Sequence, residues 1–228
     1  MSTFYSATLS CTTCRKAFRA ELVKGIHISR LPHARQQIID GSFQLFLCPH
    51  CDAQLLVEST IIYTDFDHHH YVAMEPSSHR DRRGALQHHL AVYDDCFVHA
   101  PPIAQELGRR MSRRLVFGLR ALREKLLMWD ARLDDRVVES LKGDWLAGQG
   151  IPVTDCVLRL HRLLEGGHLL FAIHDPVPPL TDDESGPTSV ALPGARDYLT
   201  IPASEYQRRQ AEPSLVGSRY PWLQEDWL

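Results

Sequence analysis

Hydrophobic and polar positions change their period twice along the chain. Up to about residue 78 the apolar residues come in short runs. Residues 17–24 (AFRAELVK) and 43–47 (FQLFL) predict strands beside cysteine pairs, and Leu31 to Ile39 predict a short helix that Gly41 stops. Residues 54–63 (QLLVESTIIY) and 71–75 (YVAME) are β-branched and aromatic, and they flank a hairpin turn at Asp65-Phe66-Asp67. The middle of the chain takes up a helical period. Residues 82–98 predict one helix with Gly84 near its start, and Pro101-Pro102 break the chain. Leu119, Leu122, Leu126, Trp129 and Leu133 then recur at helical spacing, and Asp134 or Asp135 caps a second helix running to about Trp145, giving an αα-hairpin. Residues 156–164 and 168–174 return to strand period around a Glu165-Gly166-Gly167 turn. Residues 175–194 hold five prolines and predict a loop. In the terminal stretch, Tyr220, Trp222 and Trp227 are expected to dock on the protein's own body or on a partner.

The order of these elements, with a cysteine pair beside each of two strands, predicts an α+β fold: a zinc-ribbon-like β module with a helical hairpin and a C-terminal β-hairpin. The expected divisions are residues 1–78, 79–148 and 149–228. A lone two-stranded hairpin is marginally stable, so one expected arrangement joins the two hairpins in a single sheet, making one compact body.

Composition narrows the class. The 228 residues are 44% hydrophobic and 23% charged with a net charge of −3, which excludes wholesale disorder and fibrous repeats. Charges interrupt every apolar run before the roughly 20 residues a membrane helix needs, and the first residues have no basic flank or apolar stretch of a secretory signal. A cytoplasmic protein without membrane association is expected. In reducing surroundings, paired cysteines point to metal or redox chemistry.

Two such pairs exist, Cys11-x-x-Cys14 and Cys48-x-x-Cys51. Chance places two pairs of this spacing among six cysteines only about 1% of the time. Two intervening residues let a tight turn aim both sulfurs at one point, so two turns supply four thiolates to a tetrahedral zinc ion. A redox CxxC normally begins a helix, whereas each pair here borders strand-like sequence, and nothing in the spacing selects an iron–sulfur cluster. Cys11, Cys14, Cys48 and Cys51 are therefore the expected ligands of one structural Zn2+. Four thiolates fill its coordination sphere and leave no position for substrate. Arg15, Lys16 and nearby backbone N–H groups are placed to offset the charge of the site.

The layout is similar to the CpXC family, an uncharacterised, mostly bacterial group named for two Cys-Pro-x-Cys motifs. The resemblance rests on Cys11 and Cys14, on Cys48-Pro49-His50-Cys51, on Ile62-Tyr63-Thr64-Asp65, and on the helical stretches Leu119–Lys125 and Leu133–Lys142, covering about residues 5–145. Thr12 stands where the family has proline, a residue that stiffens the turn without ligating. The resemblance implies a zinc-binding domain and supplies no activity, substrate or partner.

Other chemistry has simpler accounts. His68, His69 and His70 follow Asp65 and Asp67 and suggest a second metal, but only His68 and His70 share a strand face, and a polar hairpin tip explains the run. His88 and His89 do not share a helix face. Cys96 and Cys156 are isolated and expected to be inert buried thiols. Capping and surface charge explain Asp130, Asp134, Asp135 and Glu139. No nucleophile elbow, phosphate loop or HExxH motif occurs, so an enzyme is not expected. The expected role is a non-catalytic module that engages another, unidentified protein. The alternative is nucleic-acid binding through the basic residues of the Arg109–Lys125 face, with Arg80, Arg82 and Arg83 upstream.

Overall fold

A computed structural model describes residues 2–80, 84–178, 187–190 and 194–212. The fold is α+β and its described residues divide into two units, one of residues 2–80, 84–122, 178 and 187–190, the other of 123–177 and 194–212.

The first unit is built on two hairpins that each carry a cysteine turn. Strands β1 (Thr3–Ser10) and β2 (Ala17–His27) pair antiparallel from Ser10↔Ala17 outward, leaving Cys11–Lys16 as the connecting turn. Strands β3 (Leu45–Leu47) and β4 (Gln54–Glu58) pair likewise around Cys48–Ala53. Between them lies helix α1 (Pro32–Asp40). It begins with proline at its first position, where the missing N–H costs nothing, and it ends at Gly41 in the left-handed region, φ 77°.

The expected strand over residues 54–63 is two strands in two sheets. The chain turns at Ser59 and Thr60, because β4 belongs with β3 while β5 (Ile61–Asp65) runs parallel to β2. Strand β6 (His70–Glu75) forms the expected hairpin with β5 across Phe66–His69.

Helix α2 (Ala85–Tyr93) continues into a π-helical turn, Asp94–Val98, so the expected helix over 82–98 is described from 85 onward, and Arg82 and Arg83 lie outside the described residues. Helix α3 (Pro102–Arg109) starts on the second proline of the pair, with Pro101 as its N-cap. Strand β7 (Ser112–Phe117) then interrupts the segment expected to be helical, running parallel to β6 at the edge of the sheet β1-β2-β5-β6-β7. Its sequence, SRRLVF, has too few apolar residues to announce a strand. Tertiary pairing with β6 decides it. Tyr71 and Ala73 of β6, Tyr93 and Phe97 pack together on this sheet.

Helix α4 (Leu119–Asp130) presents Leu119, Leu122 and Leu126 as buried residues, as the spacing predicts. In the second unit, α5 (Asp135–Gln149) starts with the Asp134 carboxylate accepting the Arg136 N–H at 2.9 Å and stops at Gly150, φ 66°. Strands β8 (Val157–Leu163) and β9 (Leu169–His174) make the expected hairpin. They do not share a sheet with β5 and β6. Their third strand is β11 (Asp197–Ile201), and Leu158, Leu160, Phe171 and Ile201 close a core with Val138 and Leu141 of α5. Satisfying β9 on both edges removes the need to merge the hairpins.

Within the expected loop 175–194, the backbone of β10 (Thr188–Val190) pairs with β4. Helix α6 (Ala203–Ala211), not foreseen, is tied to α5 by Tyr206 Oη, which accepts the Asp134 N–H at 2.8 Å, and by an Arg209–Asp144 ion pair. Tyr220, Trp222 and Trp227 lie outside the described residues. No described helix is long and apolar enough to cross a membrane.

Candidate metal centre

The two cysteine turns have the same local conformation. In each, the first cysteine's carbonyl accepts an N–H from four residues on: Arg15 N to Cys11 O and Asp52 N to Cys48 O, both 2.9 Å. Each turn closes with the first cysteine's own N–H bonded across it, to Lys16 O at 3.0 Å and Ala53 O at 2.9 Å. Immediately after the second cysteine of each pair, Arg15 (φ 60°) and Asp52 (φ 56°) adopt the left-handed region, which turns the chain back into the returning strand. Thr12 therefore sits in a turn of the same form as the one containing Pro49, and proline is not required for it.

Gln44 sets one hairpin against the other. Its side chain accepts the Val23 N–H of β2 at 3.0 Å and donates to Val57 O of β4 at 2.9 Å. Beneath the turns Leu9, Leu22, Leu55 and Val57 pack with Cys11 and Cys48 in one apolar cluster.

The result is a meeting of all four sulfurs. They lie within 4.8 Å of one another, with Cys11–Cys51 and Cys14–Cys48 at 3.7 Å. Four thiolates at 2.3 Å from a tetrahedral ion would be about 3.8 Å apart, so the cluster has the dimensions of one metal site. All six cysteines are free thiols. Backbone N–H groups already point at the sulfurs: Thr13 and Cys14 to Cys11 at 3.4 and 3.5 Å, and His50 to Cys48 at 3.5 Å. Without a cation the cluster divides its protons unevenly. The N–H groups of Cys14 and Thr13 lower the Cys11 thiol to about 6 against the effect of burial. At Cys51 the Ala53 N–H is outweighed by desolvation and the neighbouring sulfurs, and the thiol rises to about 12. A metal ion supplies the positive charge that allows all four to ionise, so loading it releases protons.

The family model described as CpXC protein matches residues 9–142, more than half of the chain and the whole of this site. The chain belongs to the CpXC family. No curated protein and no solved structure matches it.

Of the other residues by which this CpXC chain resembles its family, Tyr63 and Asp65 are buried and paired. Asp65 accepts from Tyr63 Oη at 3.3 Å and from the His68 N–H at 3.2 Å, and His68 Nδ1 lies 2.8 Å from it. The histidine run is thus the tip of the β5–β6 turn, with His68 held by Asp65. Among the described residues, the four cysteines are the one group of three or more His, Cys, Asp or Glu whose ligating atoms all lie close enough together to share a metal ion.

The helical stretches contribute a charge network in the second unit. Lys125 Nζ meets Asp135 at 3.3 Å and Glu139 at 3.1 Å, while Lys142 Nζ meets Glu139 at 3.1 Å and Glu124 at 2.7 Å. Arg159 also reaches Glu124, at 3.2 Å. Burial would raise the Glu139 carboxyl, but Lys142, Lys125 and Arg159 hold it well below the usual range. Asp134 caps its helix as expected. Asp135, by contrast, is buried and ion-paired, which corrects the expectation of surface charge. Cys156 is buried as expected, but Cys96 is exposed.

A second buried group escaped the sequence. Glu75 accepts from Thr60 at 2.9 Å and lies 3.1 Å from His79 Nδ1 and 2.8 Å from His89 Nε2. The one sequence signal for it is that His89 shares a helix face with Ala85 and Tyr93, four residues to either side, so it must be buried with them.

The basic residues between 109 and 125 are spread over three elements. Arg109 and Arg110 pair with Glu106, Arg113 lies over the Tyr93 ring at 5.0 Å, and Lys125 is buried among carboxylates.

Proposed function

We propose that this chain is a non-catalytic zinc-ribbon module that docks another protein. The convergence of four sulfurs at tetrahedral spacing carries the reading. Among biological metals, a closed tetrahedral four-thiolate set suits zinc, and in such a site the ion contributes folding energy rather than chemistry. Cys11, Cys14, Cys48 and Cys51 would hold it, with the two hairpins meeting at their cysteine turns.

Helix α3 supports the docking half of the reading. Its small residue faces inward: Gly108 is buried, and a Cβ there would lie 2.6 Å from the Phe97 Cβ. Its large apolar residues face outward, with Ile103 76% and Leu107 37% exposed. A helix that buries glycine and exposes isoleucine and leucine is suited to an apolar surface on a partner. The spread and pairing of the basic residues favour this over the nucleic-acid alternative.

Elemental analysis of the purified chain tests the metal: one zinc per chain is expected, and its absence from a folded chain refutes the assignment. Crosslinking pull-down with wild type and with Ile103→Asp/Leu107→Asp tests docking. A stable partner lost in the folded double variant is expected; a gel shift at low salt that fades as salt rises would favour nucleic acid.

A further inference from the structure

We propose that Cys51 is an oxidation site, at which hydrogen peroxide opens the thiolate centre and releases its metal; this rests on the zinc reading above. The four ligands are not equally sheltered. Cys48 is 0% and Cys11 2% exposed, Cys14 is half-buried, and Cys51 is exposed. A small oxidant arriving from solvent meets Cys51 first. Metal binding keeps that sulfur in the thiolate form, which is the form that reacts with peroxides.

The chemistry closes within the cluster. The Cys51 sulfur attacks the peroxide O–O bond; an S–O bond forms, the O–O bond breaks, and hydroxide leaves with the electron pair. The resulting sulfenic acid faces Cys11 Sγ, placed 3.7 Å from the Cys51 sulfur. Cys11 attacks, the S–S bond forms, the S–O bond breaks and a second hydroxide leaves. Two thiolates have been oxidised by two electrons, the peroxide has been reduced to two hydroxides, and solvent protonates these to water. Cys14 and Cys48 alone are then too few to retain the ion, and the turns at the ends of β1–β2 and β3–β4 lose their brace. A reducing thiol reverses the bond.

Cys96, the other exposed thiol, sits on the π-helical turn away from the cluster and is the competing target. The experiment therefore uses the zinc-loaded full chain carrying Cys96→Ser and hydrogen peroxide. Zinc release is followed with a chromogenic chelator, thiols by titration, and the order of loss by timed alkylation with mass spectrometry. One zinc per chain is expected to leave while the thiol count falls from five to three. Cys51 is expected to lose alkylation first, a Cys11–Cys51 crosslink to form, and dithiothreitol with zinc to restore the starting state. Retention of zinc through peroxide treatment, or oxidation of Cys11 or Cys48 ahead of Cys51, overturns the proposal, and a crosslink lacking Cys11 overturns the pairing. A chain without zinc before peroxide is added refutes the metal reading itself, and the proposal with it.

Discussion

Replacing Glu75 by glutamine tests whether the buried His79–Glu75–His89 group stabilises the first unit. Burial by itself would raise the Glu75 carboxyl, but hydrogen bonds from His89, His79 and Thr60 outweigh it and bring the value down to about 2, from 4.5. A carboxyl whose folded value is depressed contributes stability that is fully present above its unfolded value and is lost as pH falls through the folded one. A depression of this size corresponds to roughly 3 kcal/mol at neutral pH and less than half of that at pH 3. Glutamine keeps the shape and removes the charge. Denaturant unfolding of both proteins, followed by far-UV circular dichroism from pH 7 to pH 3, should show the gap between them narrowing on acidification. Any loss of bound metal in acid is common to both proteins and cancels in the difference. A gap that stays constant across this range would show that Glu75 does not titrate as its hydrogen bonds require.

Three further outcomes are expected in the same unfolding assay. Lys125→Met leaves Asp135 buried beside an apolar chain and should cost about 3–5 kcal/mol, the usual effect of breaking a buried ion pair from one side; a loss below 1 kcal/mol would mean that the network is open to water. Gly108→Ala places a methyl against the Phe97 ring and should cost on the order of 1–3 kcal/mol, with loss of the 2.6 Å bond from Tyr93 Oη to Gly108 O as the helix backs away. Asp134→Ala removes the α5 cap and should cost about 1 kcal/mol, with no change in the metal content found by elemental analysis.

The features legible in the sequence are those fixed by near neighbours along the chain. Each cysteine pair forms its turn from six consecutive residues, and the stripe from Leu119 to Leu126 marks α4 because helical spacing is local. What stayed hidden depends on distant partners. Ser59 and Thr60 break one apolar run into strands of two sheets only because β2 is present to receive β5. The Ser112–Phe117 segment becomes a strand only beside β6. Lys125 is a good helix former in an amphipathic pattern, and nothing in its neighbours says that it will be buried with Asp135 and paired with a half-buried Glu139. Likewise, Glu75 and His89 are 14 positions apart on different elements, and their pairing needs the sheet beneath α2.

The sulfur cluster also sets a schedule for biosynthesis. Cys51 follows Cys14 by 37 positions. At about 5–20 residues per second of translation, the earlier couple leaves the ribosome roughly 2–7 s before its companions. For that interval the nascent polypeptide offers two of the four sulfurs that the folded cluster brings together. Capture of an ion by all four sulfurs would therefore wait until α1 and β3 have been synthesised, and any agent that caps the waiting thiols would act on the newborn chain before the mature protein exists.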